Sequence, residues 1–539
     1  MRGFSSVSGW KLAVAVMIVA LGCGSGDGGT KDASSQLDVP QVLDGISEGI
    51  TGDVREDGQE DVQDRRLSRL SAQGRMIVDA EGNEVLWRGV NLGGWLFHET
   101  WITLVGHTTH GHIHLAAQDL GVAEEVDALM VELGTKYGTD PAVIWVCPAD
   151  GPEWLEGFRQ ALPGRIGEEL SAQLLAAVEL HPFSCDDSDK PIRALLEERF
   201  GPDGRDELLG AFQDAWIQEK DMEWLAQQGF NVVRIPIGYR NLVTGPDSDR
   251  PTELVWNEAA LLRLDRLLDW CEKHGVYGIV DIQEAPGGQN TYASDAGLYV
   301  DPLMQDLTVE MWEMLSSRYK ERDIVAAYSL LAEPYGAPTL QARDEMYDRL
   351  VKAIRANDDD HLLIIHDGFK GMASLPDPAT YGWENVVYST HVFEWNAKDL
   401  SAYQFLTGLY DPGNVEAQET QNVPYYIGSF SVFQDVEWAY QAASLMVGWF
   451  EHRGWGWSLW TYKRPDDPIS REVFGFTSSW GVRRDVTGEF QRPDPHLDSR
   501  EELLEKLRAY KDLELGPNQR LLDALNTPTP FESTLFEGN

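Results

Sequence analysis

AALLRLDRLLDWCEKHGVYGIVDIQEA, residues 259–285, decides the fold. Its first part places Leu261, Leu264, Leu267, Leu268 and Cys271 at helical spacing, giving one apolar helix face. Its second part, VYGIVDIQEA (276–285), is a short, nearly continuous apolar run of the kind that forms a strand buried on both faces. The same pair of patterns recurs along the chain. Strand-like runs are EVLWRGVNLGG (84–94), NVVRIPIG (231–238), IVAAYSLLAEP (324–334), HLLIIHDG (361–368), NVVYSTHVFE (385–394), VPYYIGSFSV (423–432) and WGWSLWTYK (455–463). With 276–285 they number eight. Helical patterns such as LTVEMWEMLSSRYKE, ARDEMYDRLVKAIRAN and EWAYQAASLMVGWF lie between most of them, and REELLEKLRAYKDL follows the last. Eight buried strands alternating with helices predict an α/β protein, a (β/α)8 TIM barrel with a parallel sheet.

Between the first two strands the chain is too long for a loop. Residues 100–212 contain the helical patterns EEVDALMVELGTKYG, EELSAQLLAAVEL and RALLEERFG, which predict a helical insertion over the barrel mouth. The insertion also carries HTTHGHIH. On a strand His110, His112 and His114 would share one face, but no carboxylate or cysteine is spaced to complete a metal shell, so the segment is read as a polar loop. No metal and no cofactor is expected.

The chain has 88 Asp+Glu against 44 Lys+Arg, a formal charge of −44. Phosphate binding needs clustered cations, so this balance argues against nucleic acid and anionic lipid headgroups as ligands. The 19 tryptophans suit sugars, whose flat apolar faces stack on rings.

The N-terminus has a charged start (Arg2, Lys11) and an apolar run, Leu12 to Leu21, too short to span a bilayer. It fits a signal peptide over 1–22. Ala20-Leu21-Gly22-Cys23 resembles a bacterial lipobox, which implies lipidation of Cys23 and an outer-membrane or cell-surface protein. Residues 23–66 read as an acidic tether: from residue 24 on they carry 11 acids, four bases and no aromatic residue, too little apolar surface to offset ordering entropy. The barrel is then 67–539. Cys147 and Cys185 fall in the same insertion and could form a disulfide in an exported chain, while Cys271 reads as a buried thiol.

In this fold the functional groups come from the C-terminal ends of the strands. Those ends hold Asn91 and Trp95, Arg234, Asp281-Ile282-Gln283-Glu284, Ala332-Glu333-Pro334, His366-Asp367, His391 with Phe393, Gly428-Ser429-Phe430, and Trp460. A glutamate among apolar strand residues is desolvated and has a raised pKa, so Glu333 is the candidate acid. The competing reading is an ion pair between Glu333 and Arg234.

RGVNLGGWL, NVVRIPIGY, DIQEAPGGQN, LLAEPYG, THVF, PYYIGSF and GWGWSLWTYK stand in an order and spacing that resembles glycoside hydrolase family 5, with the exo-β-1,3-glucanase-like and bacterial cellulase-like branches most similar. The resemblance covers about residues 70–515. It implies a β-linked, glucan-type polysaccharide as partner and hydrolysis of O-glycosyl bonds with retention. It also implies Glu333 as acid/base, with Arg234, His391 and Trp460 at matching substrate-binding positions. Asn91 and Trp95 belong to the first motif. Four positions depart from the family pattern: Gln283 replaces a His, Ala332 an Asn, Phe393 a Tyr, and Ser429 the nucleophilic Glu.

A retaining glycosidase uses two carboxyl groups, the second of which attacks the anomeric carbon. A serine hydroxyl is neutral and shorter. Two alternatives stay open. One is hydrolysis by a modified route, with Glu333 as acid and Glu284 or Glu394 as base for water. The other is a non-catalytic, surface glycan-binding pseudoenzyme.

Overall fold

The computed structural model describes residues 67–103, 105, 109–136, 151–179, 189–245, 250–290, 296–357, 360–394, 397, 399–432, 435–465, 481–485 and 491–531. The signal peptide, the tether with Cys23, and Cys147 and Cys185 lie outside them. All eight expected strands are present: β1 Arg88–Asn91, β2 Val232–Gly238, β3 Tyr277–Glu284, β4 Val325–Ser329, β5 Leu362–His366, β6 Val386–Val392, β7 Tyr425–Phe430 and β8 Gly456–Leu459. They pair in parallel, each with the next, and β8 closes on β1 to complete the barrel. The expected (β/α)8 architecture is correct.

Local chemistry explains the alternation. In the diagnostic stretch the helix Glu258–His274 begins at Asn257, whose side chain accepts the Ala260 N–H, and ends at Gly275 with φ 70°. Lys273 and His274 in its last turn complement the helix dipole. The helix Pro302–Tyr319 is capped by Asp301, which accepts the Leu303 N–H, with proline at its start. Between β5 and β6 the described residues form only two short 3-10 turns, Met372–Ser374 and Pro378–Thr380.

Two apolar layers result. The inner floor of the barrel is filled by Trp87, Tyr277, Ile279, Ile364 and Tyr426, with Leu70 and Ile77 from an N-terminal hairpin packed against them. The larger outer core joins the strand backs to the helices and includes Trp312, Trp449 and Trp457.

The segment between β1 and β2 is helical, as expected. Thr109–Asp119, Ala123–Lys136, Gly151–Ile166 and Glu168–Glu179 enclose a separate core of Ile113, Leu129, Met130, Phe158 and Leu162. Asp189–Trp216, broken at Gly201, instead packs Leu208, Phe212 and Trp216 into the main core.

The histidine segment needs correction. Its described residues, from Thr109 on, are neither strand nor loop but lie in the helix Thr109–Asp119. His114 is buried, and its Nδ1 lies 2.9 Å from Asp127. Histidine has weak secondary-structure preference, and the apolar Ile113 and Ala117 on the same helix decide the matter through packing.

Candidate active site

The mouth of the barrel is organised around Arg234, which β2 places fully inside. Its guanidinium donates to Asn91 Oδ1 (2.7 Å) and to Gln283 Oε1 (3.2 Å), and pairs with Asp281 at 2.8 Å. Asn91 in turn donates from Nδ2 to the carbonyls of Gly428, Ser458 and Leu459, stitching β1 to β7 and β8. The competing reading, an ion pair between Arg234 and Glu333, gives way to a pair between Arg234 and Asp281. Arg234 still acts on Glu333 through space, lowering its pKa against the larger effect of burial.

Glu333 follows β4 with φ 49°, a left-handed conformation costly for a side chain that carries a Cβ. Its neighbours fix the turn: Ala332 N–H donates to Ile282 O (2.9 Å) and Tyr335 N–H to Glu333 O (2.7 Å). Glu333 is 9% exposed, and burial pushes its pKa up to about 7. Its Oε1 meets His391 Nδ1 at 2.6 Å. Burial also holds the His391 imidazole well below its ordinary range, so it is neutral.

Strand β7 reaches this pair through a bulge. Pairing passes from Thr390↔Ile427 to His391↔Ser429 on one side, and from Trp457↔Ile427 to Leu459↔Phe430 on the other. The extra residue is accommodated at Gly428, where a Cβ would stand 2.9 Å from His391 Nε2. Ser429 is thereby set beside His391. It is 1% exposed, and among the described residues its Oγ has no hydrogen-bond partner.

The other expected site residues divide. Phe393 is half-buried, with its ring centroid 6.3 Å from that of His391. Trp460 is buried just after β8, and its backbone N–H donates to Phe430 O at 2.8 Å. Ala332 keeps only a backbone role: its carbonyl and that of Gln283 both accept from Gln289 Nε2 at 2.8 Å. Trp95, expected among the glycan-binding residues, is a core residue. It is 2% exposed, packs in the main core, and its indole N–H donates to Gln213 O at 2.9 Å. Of the two candidate bases, Glu284 is held by Arg240 at 2.6 Å, while Glu394 lies half-buried past the end of β6.

Gln289, in the loop after β3, was not singled out by the sequence reading; it braces that loop against Ala332. Asp367, named there as a strand end without a role, accepts from Thr390 Oγ1 (3.1 Å) and from Phe369 N–H (3.0 Å), and burial pushes its carboxyl up to about 6. The Asp-Gly step at 367–368 was the available signal, a turn dipeptide at a strand end. Among the described residues no group of three His, Cys, Asp or Glu is placed to hold a metal ion.

Residues 201–465 match the model of the cellulase family, glycosyl hydrolase family 5. Over these residues the chain is similar to glycosyl hydrolase family 5. The match includes β2 to β8 and hence Arg234, Glu333, His391, Ser429 and Trp460. The chain is 26% identical over 333 residues to a beta-xylosidase of Phanerodontia chrysosporium, covering 60% of this chain and 52% of that protein. It is 31% identical over 188 residues to endoglucanase C of Acetivibrio thermocellus, covering 33% and 51% respectively. To a probable glucan 1,3-beta-glucosidase A of Emericella nidulans it is 30% identical over 212 residues, covering 37% and 49%. The chain thus spans about half the length of these curated relatives. That family acts on O-glycosyl bonds, and in this chain the β7 residue in register with His391 is Ser429.

Proposed function

We propose that the barrel mouth engages a β-linked, glucan-type glycan and does not cleave it by double displacement. The observation that carries this reading is the end of β7, where Ser429 is the residue in register with His391, the partner of Glu333. Double displacement needs a carboxylate there to attack the anomeric carbon and to stabilise the positive charge that develops on the sugar. A neutral hydroxyl supplies neither. The coarse match to endoglucanase, glucosidase and xylosidase relatives supports a β-linked sugar polymer as ligand.

Hydrolysis by a single displacement is a second reading, and one observation favours it. Glu333 has its pKa held at about 7, in the working range of a general acid. That route also needs a carboxylate to activate water, and two acids of the mouth, Asp281 and Glu284, are engaged by Arg234 and Arg240.

The test incubates the full chain with β-1,3- and β-1,4-glucan and measures reducing ends and oligosaccharide binding. Binding without turnover supports the binding reading. Turnover that disappears in Glu333→Gln supports the single-displacement reading. Failure to bind either polymer overturns both.

We also propose that Cys23 is lipidated and that residues 24–66 tether the barrel to a bacterial outer membrane or cell surface, on the strength of the lipobox-like Ala20–Cys23. Detergent-phase partitioning of the wild type but not of Cys23→Ala is the expected result.

A further inference from the structure

The mouth pairs a proton donor with carboxyl groups that are already committed. Glu333 meets His391 at 2.6 Å. Asp281 is held by Arg234 at 2.8 Å and Glu284 by Arg240 at 2.6 Å. Both oxygens of Asp367 are used, one by the Phe369 N–H and the other by the Thr390 hydroxyl. The same ion pairs engage the two guanidinium groups, so an anionic attacker such as phosphate would compete with buried carboxylates for them. The chain's formal charge of −44 repels such an anion as well. These contacts favour an attacking group that is neutral and arrives with the sugar.

Ser429 indicates what that group is. Residues paired in register on parallel strands face the same side of the sheet, and Ser429 is paired with His391. His391 reaches Glu333 across the mouth, so Ser429 faces inward too. It is 1% exposed, and among the described residues its Oγ has no hydrogen-bond partner. A buried hydroxyl left unpaired is costly, so a ligand that pairs it is favoured. Serine is also shorter than glutamate by about the bulk of an acetyl group. Ala332, the buried residue before the acid, likewise brings only a methyl. A neutral attacker of acetyl size that can also form hydrogen bonds describes an acetamido group. Carried on C2 of a sugar, its carbonyl oxygen can reach the anomeric carbon from the face opposite a β-linked leaving group.

We propose that the mouth takes a β-linked 2-acetamido-2-deoxy glycan whose own acetamido oxygen supplies the attack that β7 does not, with Ser429 as the positioning residue for the acetamido group. This rests on the glycan reading above and specifies its substituent at C2. The Glu333 proton passes to the bridging oxygen as the bond from C1 breaks, and the electron pair of that bond leaves with the oxygen. The acetamido carbonyl oxygen bonds to C1 with its own electron pair, closing an oxazolinium ring. Positive charge is then held within the sugar and needs no carboxylate from β7. The Ser429 hydroxyl oxygen accepts the acetamido N–H, which turns the carbonyl toward C1. Water next attacks C1 and gives a proton to the Glu333 carboxylate, while the pair of the breaking C1–oxygen bond returns to the acetamido group. The sum is hydrolysis with retention and with no sugar bound to the protein.

The experiment follows the full chain with chitotetraose and cellotetraose, which differ only in the acetamido groups. Affinity is read by titration calorimetry and the anomer first released by NMR. The proteins are wild type, Ser429→Ala and Glu333→Gln. Wild type binds chitotetraose at least about tenfold more tightly than cellotetraose, because the acetamido group pairs the buried hydroxyl. It cleaves chitotetraose to products that first appear as the β anomer, and Glu333→Gln does not. Ser429→Ala binds chitotetraose about fivefold more weakly with cellotetraose affinity unchanged, a split that a packing role would not produce. Equal or tighter binding of cellotetraose by wild type overturns the proposal and leaves the glycan reading standing. So does chitotetraose that is bound and not cleaved, a first product in the α form, or cleavage that requires added inorganic phosphate. Parallel loss of both ligands in Ser429→Ala overturns the role given to Ser429. Wild type that binds neither tetrasaccharide overturns both readings.

Discussion

His391 Nδ1 lies 2.6 Å from Glu333 Oε1, and burial drives each of the two groups toward its neutral form. Burial thus disfavours the carboxylate and the imidazolium alike at this contact. The pair preserves a proton donor in a mouth that offers no carboxylate on β7.

This pair dictates a pH dependence. The Glu333 pKa is about 7 folded and 4.5 as a free side chain, so between these values the folded chain holds a proton that the unfolded chain has released. Stability from this group is full below pH 4.5 and is lost as pH rises through 7, roughly 3 kcal/mol in all. The lowered His391 pKa acts in the opposite direction, removing stability as pH falls below 6.5. Glu333→Gln isolates the first effect. In urea denaturation the variant should match wild type near pH 4.5 and exceed it by roughly 2–3 kcal/mol at pH 8.

Arg234→Ala should destabilise the chain by about 3–5 kcal/mol, because it leaves Asp281 as a buried carboxyl without its cation and Asn91 without a donor. Burial already raises the Asp281 pKa, so the loss should be larger at pH 8 than at pH 5. Denaturant midpoints at the two values measure it.

Gly428→Ala should cost about 1–3 kcal/mol, since the added methyl overlaps His391 Nε2 and Ser389 Oγ. The same overlap displaces the imidazole from Glu333. Histidine NMR should show a changed environment for the His391 ring nitrogens.

Trp95→Phe should lose about 1 kcal/mol of stability with no change in oligosaccharide affinity. The indole donates to Gln213 O inside the core and presents no face to a ligand. Thermal unfolding and titration calorimetry separate the two effects.

The barrel was legible because its strands are short apolar runs whose spacing survives every insertion. VYGIVDIQEA and HLLIIHDG became β3 and β5 nearly as written. The ends of those strands were legible for the same reason, and they delivered Arg234, Glu333, His391 and Ser429 to one mouth. Pairings within the mouth were not. Arg234 had several acids within reach in principle, and only the folded side chains show that Asp281 on β3 takes it. The meeting of His391 with Ser429 depends on a bulge at Gly428, which one glycine in an apolar run does not announce. Trp95 follows a strand end, so position suggested the cleft, whereas the helix Asp189–Trp216 from the insertion packs over it and buries it. The histidines of HTTHGHIH misled because their local pattern is compatible with any structure, and only the insertion's own core fixes the helix.

The central claim is that a glycan occupies a site with no attacking group on β7. Intact-mass spectrometry after incubation with an activated 2-deoxy-2-fluoro-β-glucoside tests it most directly, comparing wild type with Ser429→Glu. The expected result is no added mass on wild type and one glycosyl unit on Ser429→Glu. One glycosyl unit bound covalently to wild type would contradict the account.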